Sequence, residues 1–344
     1  MAKRIVVLQS FPVPRETTNP YITMLWQSLS NMDGLAIKNF SWREALLGRY
    51  DIFHVHWPEI LVTGRTPVRK LGRQILFILL LLRLSFSRSS VVRTVHNVAA
   101  PKDISWVEER LLNFIDAMTA YRIVLNTSTE LAPYQRGALV VHGHYREWFG
   151  GYEKPVHVDG RLCFFGQIRR YKGVDRLIAA FRQMEAEETE LTLHIVGRPS
   201  SVDLDQGLRR LAVGDDRISL SLRFQSDAEL VLEVSQSELV VLPYAEMHNS
   251  GGVLAALSLD RPVLVPDNVV NRKLAQEVGV GWIYMYSGEL TGLRIAEVLR
   301  QVRKDDRSER PELEARDWSN AGDGHLVAYQ EALGFTRSHR RRYS

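Results

Sequence analysis

The chain reads as an α/β protein made of two Rossmann-like, doubly wound parallel-sheet domains. Three observations lead there. Short apolar runs recur along all 344 residues, and most end in a polar or glycine-bearing loop followed by a helical pattern. That strand, loop, helix, strand rhythm builds parallel sheets. The rhythm pauses at 150–160, where Gly150, Gly151, Pro155 and Gly160 lie among polar residues, and then resumes. The length also suffices for two ordinary domains, and 45% hydrophobic with 24% charged residues is a globular mix.

Taken in order, residues 5–8 form the first buried strand, and the proline-rich stretch 10–20 is a loop. Residues 21–29 carry apolar spacing suited to a helix. Further strands are expected at 51–56, 91–95, 123–125 and 139–141, with a helix over 106–118. After the glycine-rich linker come a strand at 162–165, a helix at 174–184 and a strand at 191–196 closed by Gly197. A strand at 218–222 and a helix at 228–235 follow. Residues 239–242 and 263–265 are buried strands flanking the loop 244–249 and a helix that opens at Ser250, Gly251 and Gly252. Helices around 290–302 and 325–333 end the pattern. The expected division is 1–150, 151–318, a C-terminal helix 319–335 crossing back to the first domain, and a disordered basic tail 336–344.

Residues 75–82 are the most apolar run, continuing to Phe86 with Arg83 inside. The run is too short to cross a bilayer, which takes about 20 residues. Arg65, Arg69, Lys70 and Arg73 precede it. Two readings stay open: a buried helix of the first domain, or a helix lying in a membrane interface with its cations on anionic headgroups.

The net charge of +4 is mild and spread out apart from the tail. It suits phosphate ligands or an anionic membrane face better than a nucleic-acid groove. The single cysteine, Cys163, permits no disulfide within the chain and fits a reducing compartment. The opening Met-Ala-Lys-Arg runs straight into a strand and lacks a signal-peptide pattern. A cytoplasmic protein, peripheral on the inner membrane face if bound there, is the expectation. No G-x-G-x-x-G follows the first strand, and no P-loop, H-E-x-x-H or paired-cysteine motif occurs. No metal is expected.

Two loops carry the positive signal. After the strand at 162–165, Arg169, Arg170 and Lys172 stand between Gly166 and Gly173, just ahead of a helix. Arg offers a planar fork and Lys a point charge, a combination suited to a diphosphate. After the strand at 239–242, Asn249 or Ser250 can cap a helix whose first turn holds Gly251 and Gly252. Free N–H groups and the helix dipole favour a phosphate there. Each loop alone also reads as an ordinary solvated turn or capped helix. In the first half, His54, His56 and Glu59 end one strand, His96 ends another, and His142 and His144 lie near the crossover. A histidine at a strand end is a structural residue or a proton-moving group near neutral pH. Trp57 packs against its neighbours or offers a face for stacking.

These residues resemble a known family. FFGQIRRYKGVDRLIAAF (164–181), HIVGRP (194–199) and VVLPYAEMHNSGGVLAALSLDRPVLVPD (240–267) resemble the C-terminal domain of GT-B glycosyltransferases, close to family 4. HVHWPE (54–59), TVHNVAAP (94–101) and VHGHY (141–145) are similar to the N-terminal half of a bacterial subgroup of exopolysaccharide mannosyltransferases. The resemblance covers roughly residues 4 to 333. It implies two domains facing a central cleft and a nucleoside-diphosphate sugar donor, with no separate cofactor. The acceptor is a saccharide or lipid-linked hydroxyl. The donor diphosphate falls to Arg169 and Lys172, with Asn249, Ser250, Gly251 and Gly252 at the helix start and Glu246 reaching the sugar. His96 matches the donor-facing histidine. By their places at strand and helix ends, Glu59 is a candidate base for the acceptor hydroxyl with His54 and His56 holding its loop, Asn19 and Tyr21 are candidates to border the acceptor, and His142 and His144 are either acceptor contacts or structural residues. Two departures stand out. The usual Gly-Arg is Gly166-Gln167, and the usual pair of glutamates eight apart falls on Met247 and Ala255. A sugar-nucleotide epimerase on the same fold and a silent partner subunit therefore remain as alternatives.

Overall fold

The chain divides into two units, Met1–Gly143 with Arg316–Ser344, and His144–Ala315. The computed structural model describes residues 4–96, 104–184, 191–245, 247–249 and 251–341, with side chains as far as 336. Glu246 and Ser250 lie outside the described residues.

The first unit runs β1 (Ile5–Gln9), α1 (Pro20–Ser30), β2 (Leu35–Lys38), α2 (Trp42–Leu47), β3 (Ile52–Val55), α3 (Glu59–Val62), α4 (Pro67–Phe86), β4 (Ser90–Val95), α5 (Trp106–Ala117), β5 (Thr119–Val124) and β6 (Gly137–Leu139). Its six strands form one parallel sheet in the order β2-β1-β3-β4-β5-β6. All four residues of β3 are buried, as expected of a central strand covered on both faces. The second unit runs β7 (Arg161–Phe165), α6 (Val174–Arg182), β8 (Thr192–Val196), α7 (Val202–Ala212), β9 (Ile218–Ser221), α8 (Asp227–Ser235), β10 (Leu239–Val241), α9 (Gly251–Ser258), β11 (Val263–Pro266), α10 (Val269–Val278), β12 (Ile283–Tyr286) and α11 (Gly292–Lys304). Its parallel sheet has the order β12-β11-β10-β7-β8-β9.

Both orders reverse once. In the first unit the reversal falls between β1 and β3, and in the second between β7 and β10. Open parallel sheets bind ligands at such a switch point, beyond the carboxyl ends of the strands, because neighbouring loops part there.

The glycine-rich segment 150–160 is not a free linker. Tyr145 donates its N–H to Ser258 Oγ (2.8 Å), Trp148 Nε1 to Asp227 Oδ2 (3.1 Å), and Gly160 N to Glu238 Oε2 (2.5 Å). These bonds tie the segment to the second unit, and the division falls earlier, at Gly143.

The C-terminal tail is a second correction. Helix α12 spans Trp318–Arg341 without a break, so residues 336–341 continue the helix. Residues 342–344 lie outside the described residues. α12 packs on α1, β4, β5 and β6. Two glycines permit the approach: a Cβ on Gly322 would meet Ser28 Oγ at 2.8 Å, and one on Gly324 would meet Val140 Cγ2 at 2.8 Å. Ser28 Oγ donates to Trp318 O (2.6 Å), and Ser90 Oγ pairs with Thr336 Oγ1 (2.6 Å).

Helix α4 resolves the apolar run into two faces. Thr66 caps it and Pro67 opens it. Phe77, Leu80, Leu81 and Leu84 are buried in the core with Phe53, Val55 and Ile115. Each such burial contributes about 1.5–3 kcal/mol. The opposite face stays exposed. Among the four cations ahead of the run, Lys70 pairs with Glu108 at 2.7 Å. Arg83 turns inward onto Tyr50 Oη and the carbonyls of Ala45 and Gly48.

Candidate functional site

The second unit's switch point holds the cation-bearing loop. β7 ends at Phe165, Gly166 takes φ +97°, and a single 3₁₀ turn over Arg170–Lys172 leads to Gly173 at φ +64°. Both glycines occupy the left-handed region that a side chain disfavours. Gly173 has a further reason: a Cβ there would meet Pro243 O at 2.5 Å. Gly197, ending β8, is tighter still, since its Cβ would lie 1.9 Å from Gly166 O. The loop after β7 is thus clamped between its neighbours. Ala245 N donates to Tyr171 O (2.8 Å), which ties it to the loop after β10.

This clamp sets the cations. Lys172 is half-buried with its ammonium 4.9 Å from the centroid of the Tyr244 ring, a cation–π contact. Burial, with the nearby Arg169 guanidinium, lowers the Lys172 pKa to about 8. Two like charges are held close together at the carboxyl end of a central strand, where an anion relieves their repulsion. Arg169 itself is exposed.

α9 starts at Gly251, with Gly252 in its first turn and residues 253–258 buried. Its amino end follows β10, across the same switch point from Lys172. Asn249 is half-buried beside it. Ala255, standing where a family glutamate is expected, is buried in the helix. Met247, at the other expected position, is buried too. Its carbonyl accepts from Asn268 Nδ2 (3.2 Å), and Asn271 Nδ2 lies 3.3 Å from its sulfur. Neither position offers a carboxylate.

In the first unit, neighbouring strands bring the histidines together. β1, β3 and β4 are adjacent, with Gln9 opposite His54, and His96 follows β4. The hydrogen bonds form one chain. His96 Nε2 lies 3.1 Å from His56 Nδ1, and His56 Nε2 lies 3.2 Å from Gln9 Oε1. Gln9 Nε2 donates to Tyr329 Oη (3.3 Å), which lies 2.8 Å from His54 Nδ1. His54 Nε2 is 2.8 Å from Thr94 Oγ1.

Burial lowers the pKa of every ring here, to about 3 for His56 and well below the ordinary histidine value for His54 and His96. Neutral imidazoles have one donor and one acceptor nitrogen each. Gln9 Oε1 can only accept, so His56 carries its proton on Nε2 and accepts through Nδ1. His96 must then donate from Nε2, which leaves Nδ1 as its acceptor nitrogen. His54 bonds through both ring nitrogens to hydroxyls, those of Tyr329 and Thr94, each of which can donate or accept. A neutral imidazole of this kind can both donate and accept hydrogen bonds. The lowered pKa keeps the His96 ring uncharged at neutral pH.

Trp57 stacks on His96, ring centroids 3.9 Å apart at 17°, so it packs against the histidine. Tyr21 meets His96 edge-on at 5.3 Å and His142 at 4.6 Å. Asn19 caps α1 by accepting from Tyr21 N (3.1 Å), which fixes where that ring starts. His142 is buried, its pKa lowered to about 4, with Nδ1 on Gly143 O at 2.8 Å. His144 parts from this group: it belongs to the second unit, buried, with Nδ1 accepting from Arg146 N (3.2 Å). Glu59 opens α3 half-buried, and burial raises its pKa against the opposing pull of Arg93. A carboxylate raised toward neutrality is a better base.

Gln9, Thr94, His325 and Tyr329 were not singled out from sequence. His325 is buried against the same cluster, with Nδ1 bonded to Ala321 O (2.6 Å). A polar residue ending an apolar strand was a legible signal for Gln9. Nothing local marks His325 or Tyr329, which come from α12. Among the described residues no group of three or more His, Cys, Asp or Glu is arranged to hold a metal ion.

Comparison with known proteins places these features. Residues 159–286 match the family described as Glycosyl transferases group 1. A curated GDP-mannose:glycolipid 4-beta-D-mannosyltransferase of Xanthomonas campestris pv. campestris is 43% identical over 333 residues, 97% of this chain and 94% of that protein. Anabaena HepE in complex with UDP-glucose superposes with a TM-score of 0.61 at 13% identity, covering 99% of both chains. WaaG, a glycosyltransferase involved in lipopolysaccharide biosynthesis, gives 0.54 at 14% identity over 97% of this chain and 98% of that one. The two solved structures share the GT-B fold with this chain.

Proposed function

The chain belongs to the group 1 glycosyl transferases, and from that premise we propose that it moves mannose from GDP-mannose to a hydroxyl of a glycolipid acceptor. The glycosyltransferase activity itself follows from the family. The 43% identity over nearly the whole chain to a mannosyltransferase supports the choice of sugar and acceptor, and favours transfer over the epimerase alternative. The observation that carries the donor half is the Arg169–Lys172 pair at the second unit's switch point.

The roles follow from chemistry. GDP leaves with negative charge on its β-phosphate. Arg169, Lys172 and the amino end of α9 at Gly251 and Gly252 are suited to stabilise it, with Asn249 half-buried nearby and Ser250 assigned there on the resemblance alone. Glu246 remains assigned to the donor sugar on the resemblance alone. A β-linkage made from an α-linked donor inverts C1. The acceptor oxygen bonds C1 on the face opposite the departing GDP, and its proton passes to a base. Glu59, with its raised pKa, is the residue assigned to that proton. His96 meets the donor sugar on the resemblance, and Tyr21, Asn19 and His142 line the acceptor side. His144 keeps an assignment there only through the resemblance. A lipid-borne acceptor places the enzyme at a membrane face. Among the described residues no helix is long and apolar enough to cross a membrane.

Calorimetry with GDP-mannose, UDP-glucose and dTDP-glucose tests the donor. GDP-mannose alone should bind tightly, and equal binding of a uridine donor would reject the choice. Labelled GDP-mannose with a glycolipid extract should give a lipid-soluble product. Conversion of donor without acceptor would instead favour the epimerase.

A further inference from the structure

The exposed face of α4 is the largest feature the transfer reading does not use. Val68, Leu71, Ile75, Ile78, Leu79, Leu82 and Phe86 are all exposed, Val68 and Phe86 by 81% and 86%. At about 100° per residue they fall within an arc of about 100° along the whole helix. The helix is about 30 Å long by its rise. α3 and α5 pack against α4 and add exposed Ile60, Trp106 and Phe114. Water leaves so large an apolar face open only where something else covers it.

Charge identifies the occupant. Between Glu59 and Asp103 the sequence has no acidic residue. At the amino end of α4, Gly64, Arg65, Arg69 and Arg73 line a pocket of about 400 Å³. Gly64 is required there, since a Cβ would meet Lys70 N at 2.5 Å. Arg73 Nη1 donates to Thr63 O (2.7 Å) and Ile60 O (3.2 Å), which holds one wall of the pocket in place. Arg88, exposed, lies just beyond the other end of the stripe. Apolar side chains in a row, with cations along the margin and a guanidinium-lined pocket, match acyl chains beneath anionic headgroups. A second copy of this chain matches less well. A two-fold contact through the stripe sets its cations against a helix that offers no acid.

We propose that this face of α4, with the pocket of Arg65, Arg69 and Arg73, docks the enzyme on an anionic lipid bilayer, the helix lying in the interface and a lipid phosphate in the pocket. Lys70 takes no part, because Glu108 neutralises it.

The test is co-sedimentation of the full-length protein with phosphatidylglycerol-containing and pure phosphatidylcholine vesicles. Wild type should pellet with the anionic vesicles and lose binding as salt rises. The triple variant Arg65→Gln, Arg69→Gln, Arg73→Gln should partition about a hundredfold more weakly, at roughly fivefold per cation. The variant Leu71→Gln, Ile75→Gln, Leu82→Gln alters only exposed side chains. It should lose binding to the anionic vesicles with an unchanged melting temperature. Lys70→Gln serves as the control and should bind as wild type does. Wild-type binding by the triple arginine variant, or by the apolar variant, overturns the proposal. So does a concentration-dependent dimer, seen by light scattering without lipid, that the apolar variant abolishes. Vesicle binding needs neither donor nor turnover, so its failure and the failure of the mannosyl-transfer reading are seen separately.

Discussion

The Lys172 ammonium gives a pH signature that separates a donor clamp from a solvated turn. Its pKa is lowered from 10.5 to about 8 by burial and by Arg169. A bound diphosphate favours the charged form, so it pulls that pKa back up, and the protonated enzyme is the one that binds. Affinity is then full below about pH 8 and falls as pH rises through it. With a pKa of about 8 the ammonium is about 90% populated at pH 7 and about 10% at pH 9. The wild-type dissociation constant for GDP-mannose should therefore rise roughly tenfold over that range, or about 1.4 kcal/mol. Lys172→Gln should bind more weakly at pH 7 by about 1.5–3 kcal/mol, the loss of a charged hydrogen bond, and show a flat profile. Lys172→Arg keeps its charge throughout and should also be flat, at higher affinity. Isothermal calorimetry at pH 7, 8 and 9 reads all three, and any titration of the nucleotide cancels in the difference between variants. A wild-type slope that persists in Lys172→Arg, or full affinity in Lys172→Gln, would refute the clamp.

Glu59→Gln should abolish most transfer while leaving GDP-mannose affinity unchanged. The wild-type rate should fall as pH drops through a pKa above the ordinary carboxylate range, and a variant retaining full kcat would remove Glu59 from the role. His96→Ala should lower kcat far more than donor affinity, read by the same calorimetry beside initial rates. Tyr329→Phe strips the hydroxyl that bridges Gln9 and His54 in the buried chain. Urea unfolding should show about 1–3 kcal/mol lost for each group left unsatisfied, and an unchanged midpoint would show the chain to be slack.

Much of the fold was open to reading because buried parallel strands announce themselves as apolar runs. β1, β3, β4, β7, β8 and β10 all did. β2 and β12 did not: β2 is Leu-Ala-Ile-Lys at the sheet edge and only its first residue is buried, while β12 is Ile-Tyr-Met-Tyr. The cation loop was legible because its chemistry is local, with Arg169, Lys172 and both glycines within a few residues. The histidine cluster was half legible. His54, His56 and His96 end strands in plain view, but the tyrosine that closes the chain through Gln9 and His54 arrives from α12, and no local pattern records a contact across 275 residues. The apolar run at 75–82 shows what periodicity alone leaves open. The run is both buried and exposed, on opposite faces of one helix, and only packing tells which side chain lies where.

The placement of α12 has a consequence for how the protein comes into being. A ribosome delivers residues 1–143 first, yet the sheet they form lacks its covering helix until the last residues emerge. The second unit, one unbroken stretch from His144 to Ala315, has everything it needs sooner. The nascent first unit must wait, with the faces of β4 and β5 that α12 later covers still open to water or to a chaperone. A stop codon falling between Ala315 and Trp318 would release a polypeptide whose second unit, with its cation loop, is complete. Its His54 would have no tyrosine to hold it. On the donor reading, such a fragment would sequester nucleotide sugar and transfer none of it.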